Sequence, residues 1–182
     1  MTAGEPGPAK PAAPAPLAPD TAAVGYRAVE PGDEELLYRV YASTRTEELA
    51  PVPWTEAQKE AFLRMQFQAQ SRDYAENYPA AELLVILVDA APAGRLYLDR
   101  NADRLLIIDI ALLPGHRGTG IGGGILRRLQ AEAAAAALPV QIHVERMNPA
   151  LRLYQRLGFR PVGDAGIYLL MEWKAGAGSP AT

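Results

Sequence analysis

The stretch Arg104-Leu-Leu-Ile-Ile-Asp-Ile-Ala-Leu-Leu113, Pro114-Gly-His-Arg-Gly-Thr-Gly-Ile-Gly-Gly-Gly124, Ile125-Leu-Arg-Arg-Leu-Gln-Ala-Glu132 decides how this chain folds. Seven of its first ten residues are Leu or Ile, with one Asp and neither Gly nor Pro, which predicts a strand. Ile121, Ile125, Leu126 and Leu129 recur at spacings of three and four, which predicts a helix with one apolar stripe. The turn between them is dense in glycine and contains a single arginine, Arg117. Glycines let backbone N–H groups approach a ligand closely. The first turn of the following helix leaves its N–H groups unpaired and its positive dipole end exposed. A strand, a glycine-rich turn and a helix N-terminus together make an anion site, most often for phosphate, so the stretch implies a phosphorylated ligand.

The spacing of the glycines bears on which ligand. Gly118-x-Gly120-x-x-Gly123 formally matches the dinucleotide fingerprint, and the next predicted strand ends at Glu145, about where its acidic residue would fall. Pro114 to Arg117 nevertheless separate the strand from the first glycine, and too little chain follows Glu145 to complete a doubly wound sheet. Arg117-x-x-Gly120-x-Gly122 resembles instead the pyrophosphate-binding signature of the GCN5-related N-acetyltransferase (GNAT) family. Asn148-Pro-Ala-Leu-Arg-Leu-Tyr154-Gln-Arg-Leu-Gly158-Phe159 resembles that family's other signature, and like it follows a strand, here Val140 to Glu145. The resemblance covers most of residues 25–174, loosely between Arg45 and Ala80.

The resemblance implies the GNAT fold and an acetyl-CoA-dependent N-acetyltransferase. It implies a cofactor-binding set of Leu112, Leu113, Arg117, Gly118, Thr119, Gly120, Ile121, Gly122, Asn148 and Tyr154. Within that set, the backbone of Leu112 and Leu113 would meet the pantetheine arm between two splayed parallel strands. Tyr154 matches the tyrosine that protonates the departing thiolate, and Asn148 the residue that contacts the cofactor arm or a bound water. Asn148 followed by Pro149 also suits a helix N-cap. For the base, His143 and Glu145 share one side of their strand and join Tyr154 as the catalytic candidates. Asp109 is a further candidate, because a carboxylate in an apolar strand needs either a partner or a cleft. His116 lies beside the glycine loop. The family places its first two helices over the acceptor, so Glu47, Glu48, Trp54, Tyr74 and Tyr78 are expected around a cationic amine. With no cysteine and no activated serine, direct transfer without a covalent intermediate is expected. The alternative is a non-catalytic acyl-CoA sensor or interaction module of the same fold. The partner is a small-molecule or peptide amine, and a homodimer, frequent in the family, stays open.

Composition sets the outer limits. The 182 residues suit one domain. A net charge of −3 carries no basic excess, so no nucleic-acid partner is expected. The absence of cysteine excludes disulfides, thiol catalysis and thiolate zinc sites. The two histidines have no metal-ligand spacing, so no metal is expected. No apolar run reaches the roughly 18 residues of a membrane span, and no secretory leader is visible. A cytoplasmic protein without a membrane partner is expected. Residues 1–24 hold six prolines and eight alanines and are expected to be a disordered tail, as are residues 175–182; residues 25–174 form the domain.

The fold class expected is α/β (α+β), a mixed, mostly antiparallel twisted sheet with helices on both faces. Tyr26 to Glu30 reads as a strand. Asp33 caps a helix with Leu36, Leu37, Val40 and Tyr41 on its apolar face, and Thr44 to Pro53 reads as a loop. Thr55 and Gln58 make a capping-box pattern for a helix running toward Ser71. Leu83–Asp89, Arg95–Asp99 and the strand at 104–113 form an antiparallel meander. The long crossover to 140–145 requires parallel pairing with that strand. A short helix from Asn148 to Leu157, ended by Gly158, leads to a final hairpin over 159–173.

Overall fold

In the computed structural model, residues 23–176 are described, so the expected tails lie outside the described residues except at their inner ends. Seven strands form one sheet: β1 (Val24–Ala28), β2 (Glu82–Val88), β3 (Ala91–Arg100), β4 (Leu105–Leu112), β5 (Val140–Glu145), β6 (Arg160–Ala165) and β7 (Tyr168–Trp173). Their order is β1-β2-β3-β4-β5-β7-β6. All neighbours are antiparallel except β4 and β5, which pair in parallel across a helical crossover as expected. Helices α1 (Glu34–Leu49) and α2 (Glu56–Asn77) lie on one face; α3 (Ile121–Ala135) and α4 (Leu151–Arg156) lie on the other. The larger core sits on the α3 side. There Leu96, Leu98, Leu105, Ile107, Ile125, Leu126, Val140 and Ile142 meet Tyr154, Phe159 and Met171. Burying each such side chain contributes about 1.5–3 kcal/mol.

Several elements differ from the sequence reading: β1 starts at Val24, inside the expected tail, and α2 continues past Ser71 to Asn77. Helix α1 continues through residues 44–49, placing Glu47 and Glu48 on its last turns rather than in a loop. Hydroxyls there donate back to helix carbonyls: Ser43 to Val40 and Thr44 to Tyr41, each at 2.7 Å. Pro51 and Pro53, not the hydroxyl residues, stop the helix. Strand β3 starts at Ala91 because Asp89 and Ala90, at φ 49° and 65°, make a two-residue left-handed turn without glycine. Asp33 does not cap α1 with its side chain. Its carboxylate accepts the Glu30 N–H at 2.8 Å and both Arg27 Nη atoms at 2.6 Å, tying β1 to the entry of α1. The capping box at Thr55 and Gln58 is present as expected.

Asp33 also yields a pH prediction. The Arg27 guanidinium and then the Glu30 N–H hold its carboxyl down at about 2. A depressed folded-state value adds stability above the unfolded carboxyl value near 4, and loses it as pH falls toward 2. Asp33→Asn should lower the unfolding free energy by about 1–3 kcal/mol at pH 7. In urea titrations the gap to the wild type should shrink as pH drops from 4 to about 2. A gap that does not change with pH would refute this.

Candidate active site

The site is built where β4 leaves β5. The two strands pair only from Leu105–Val140 to Ile107–Ile142, although β4 runs on to Leu112 and β5 to Glu145. At the same point the ladder to β3 slips: Leu98 faces Ile107 but Tyr97 faces Asp109, so Ile108 is an extra residue in β4. An inserted residue reverses which side chains face which side of the sheet. Leu105 and Ile107 point into the α3-side core, and beyond the bulge Ile110 and Leu112 do so. Ala111 and Leu113 face the α1 side. Without the bulge, Asp109 would point into the apolar α3-side core.

With the bulge, Asp109 meets a partner that the sequence reading did not find. Arg95 of β3, only 3% exposed, donates to Asp109 Oδ2 at 2.5 Å and to Gln70 Oε1 of α2 at 2.8 Å. Tyr74 of α2 donates to the same Asp109 oxygen at 3.4 Å. The rings of Tyr41 and Tyr97 lie 5.8 and 5.4 Å from the guanidinium. Such a pair offsets its desolvation only while both charges and their hydrogen bonds are present. Asp109 is therefore half of a buried ion pair, and Tyr74 is part of its surroundings rather than of an outer rim; burial and then the Asp109 charge push the Tyr74 hydroxyl well above its usual range. Trp54 packs edge-on against Phe62 at 5.3 Å.

The glycine loop has the geometry expected of an anion site. Gly118 and Gly120 have φ of 72° and 89°, a backbone that favours glycine. The N–H groups of Gly118, Thr119, Gly120, Ile121, Gly122 and Gly123 donate to no described residue. No acidic residue occupies the first turn of α3 to oppose an anion. A cradle of free donors at the positive end of a 15-residue helix fits a pyrophosphate.

The remaining expected residues separate. Leu113 donates to the Ala93 carbonyl at 2.8 Å and accepts from the His116 N–H at 2.9 Å, so its backbone is spent. Leu112, one residue earlier, turns its backbone the opposite way, toward β5. Its carbonyl takes Arg117 Nε at 2.8 Å, and its N–H faces the gap. Arg117 does not extend over the loop: its other nitrogens donate to the Ser43 carbonyl at 3.1 Å and the Ser43 hydroxyl at 2.6 Å on α1. Asn148 lies before α4, which starts at Leu151 with Ala150 in the cap position, so the expected N-cap role is corrected. Its Oδ1 accepts the Ala150 N–H at 2.9 Å in a turn that leads into the helix. Tyr154 is buried edge-on against Phe159. Burial, and then the charge of Asp109, raise its hydroxyl far above its ordinary value. His143 is exposed on the same side of β5 as Glu145. Glu145 accepts from Arg45 Nη2 at 3.3 Å and from the Tyr168 hydroxyl at 3.4 Å. Arg45 is held charged by Glu48 and Glu145 against the opposing effect of its burial. His116 is half-buried in a 3-10 turn over Pro114–His116.

A seven-stranded mixed sheet opened between its two parallel strands, with a free-amide cradle at the open end, defines a class. A family model described as "Acetyltransferase (GNAT) domain" matches residues 79–161, which run from just before β2 into β6. Those residues match the family whose two motifs the sequence resembles, and that match supports acyl transfer in general. Among solved structures, PaiA N-acetyltransferase from Thermoplasma acidophilum in complex with coenzyme A aligns at TM-score 0.62 and 18% identity, over 83% of this chain and 98% of that one. An acetyltransferase from Thermus thermophilus aligns at 0.59 and 22%, over 83% and 96%. A GCN5-related N-acetyltransferase from Rhodopseudomonas palustris aligns at 0.58 and 17%, over 87% and 98%. These likenesses show the fold. No curated protein matches the chain. Among the described residues, no helix is long and apolar enough to cross a membrane, and no group of three or more His, Asp or Glu could hold a metal.

The buried pair gives a stability prediction. Arg95→Leu strands Asp109 without a counter-ion and should cost about 3–5 kcal/mol in urea unfolding. The double variant Arg95→Leu/Asp109→Leu should regain most of that loss. A double variant as unstable as the single one would show that the pair itself is not the cause.

Proposed function

We propose that the protein transfers an acetyl group from acetyl-CoA directly to a primary amine of a small molecule or a peptide N-terminus. The observation that carries this reading is the open gap between β4 and β5, with the Leu112 N–H facing it and the unpartnered N–H groups of Gly118 to Gly123 at its end. Acetyl-CoA would supply an acyl carbon already activated as a thioester. The loop amides and the α3 dipole suit its pyrophosphate. The half-buried apolar side chains of β4 beyond Ile107 suit the pantetheine arm. The Leu112 N–H can donate to the thioester carbonyl as negative charge grows there.

Attack by the amine nitrogen forms the C–N bond and breaks the C–S bond. The departing thiolate, of a thiol that titrates near 8.5, takes a proton from the Tyr154 hydroxyl. A tyrosine with a raised pKa keeps that proton at neutral pH. The amine must lose one proton. Of the two candidate bases, Glu145 is engaged by Arg45 and Tyr168, whereas the exposed imidazole of His143 has no described partner, so His143 is the better placed.

Two measurements test this. Acetyl-CoA and CoA should each raise the melting temperature and NAD should not, because a ligand of the folded state stabilises it. No shift with CoA would end the reading. Once an amine acceptor is found, Tyr154→Phe should lower kcat about 10²- to 10⁴-fold. The affinity for acetyl-CoA should stay near the wild-type value, and wild-type kcat should show no alkaline loss from this residue up to about pH 10. Thioester cleavage that no amine accelerates would favour the sensor or binding-module reading instead.

A further inference from the structure

The side chain of Arg117 is used in a way that neither its motif nor the proposed reaction accounts for. It springs from the foot of the glycine loop, yet three of its nitrogens are directed away from the free amides. Nε donates to the Leu112 carbonyl at 2.8 Å, Nη1 to the Ser43 carbonyl at 3.1 Å and Nη2 to the Ser43 hydroxyl at 2.6 Å. A planar fork that fills three directed acceptors fixes its own position and theirs. Two residues on in α1, Arg45 reaches the far side of the same gap. Its Nη2 donates to Glu145 Oε1 at 3.3 Å, at the end of β5, while Nη1 holds Glu48 at 3.1 Å. The C-terminal half of α1 is thus pinned to the free end of β4 by one arginine and to the free end of β5 by another. It spans the place where the two strands have stopped pairing with each other.

Strands that have lost their mutual hydrogen bonds need something else to set their separation. We propose that Arg117 and Arg45 are positioning residues that brace α1 across the mouth of the β4–β5 gap, so that filling the glycine loop also fixes the helix over the acceptor side. The brace rests on the acyl-CoA reading above and adds to it a coupling between donor loop and α1. When the loop amides close on a phosphate, the backbone of Arg117 is immobilised. Its side chain passes that order to Ser43, and through α1 to Arg45 and Glu145. Binding that orders one segment lowers the cost of ordering what is tied to it. Arg117 acts here through Ser43 and Leu112 rather than as a ligand of the phosphate.

Hydrogen exchange followed by mass spectrometry, with coenzyme A as the probe and the full chain as the sample, tests the coupling without an acceptor. In the wild type, saturating CoA should slow exchange in residues 114–124 and also in 43–49. Ser43→Ala and Arg117→Ala should still bind CoA, with Kd changed less than about threefold by calorimetry. Their loops should still be protected by CoA, but the CoA-dependent slowing in 43–49 should fall by about tenfold or more. Arg117→Lys, which lacks the fork, should not restore it. A purely structural role would instead speed exchange in 43–49 equally with and without CoA, leaving the ratio intact, and that result overturns the brace. So does a wild type in which CoA protects the loop but not α1. So does an Arg117→Ala variant whose Kd rises tenfold or more while Ser43→Ala behaves as wild type, since that marks Arg117 as a phosphate ligand. If Arg117→Ala does not fold, Ser43→Ala decides alone. A wild type that binds no CoA removes the functional reading and the brace together, and so is distinguished from loss of the brace alone.

Discussion

One extra residue, Ile108, is the constraint on which the rest of the site depends. A strand composed mostly of Leu and Ile could run straight between its neighbours, bonded on both edges. The bulge turns it instead. Its register to β3 slips by one, its parallel pairing to β5 ends at Ile107, and its later side chains exchange faces. The burial of the strand follows the same break, from fully buried at Leu105 to Ile107 to half-buried from Ile108 onward. Half-buried apolar surface beside unpaired backbone is costly unless something occupies it. The gap, the orientation of Leu112 and the placement of Asp109 all follow from that single insertion.

Charge then holds what the sheet has opened. On the α1 and α2 face, Arg95 neutralises Asp109 and gathers Gln70 and Tyr74, tying α2 to the middle of the sheet. Around the mouth, Arg117 and Arg45 join α1 to the loose ends of β4 and β5. Arginine suits these posts because its fork meets several acceptors at once and stays charged when half-buried. The opposite face is held mainly by its apolar core, with Arg100–Glu132 and Gln130 on the Leu157 carbonyl at its margin. Helix α3 therefore rests on the larger apolar core, while the α1 and α2 face combines two smaller apolar clusters with these polar contacts. Exposed contacts such as Arg117–Ser43 open at lower free energy than a packed core.

The places where sequence reasoning succeeded and failed share a physical pattern. Features set by neighbours along the chain were legible. The capping box of Thr55 and Gln58, the helix-ending glycine at 158, and the parallel crossover between β4 and β5 all depend on local spacing or connection length. Features set by partners far along the chain were not. Thr44 to Leu49 read as a loop, yet the hydroxyls of Thr44 and Thr46 bond back to the helix itself. Asp109 required a partner or a cleft, but nothing local singled out Arg95, 14 residues earlier. The bulge left no trace in a strand apolar on both faces, because a reversal of facing changes no pattern when both sides read alike.

By itself, then, the sequence determined the glycine-rich cradle, the helix whose N-terminus supplies its donors, the tyrosine that follows β5, and the order in which strands and helices arise. These are properties of residue type and short spacing, and they hold wherever the segments finally lie. Only the tertiary structure decided that Leu112 and not Leu113 presents its N–H to the gap, that Asp109 is an ion-pair partner rather than a free base, and that Arg117 turns to Ser43. Each of these depends on which backbone edge or side chain arrives opposite, and that is fixed by a one-residue slip in register and by the docking of α1 and α2, not by the residues' own preferences.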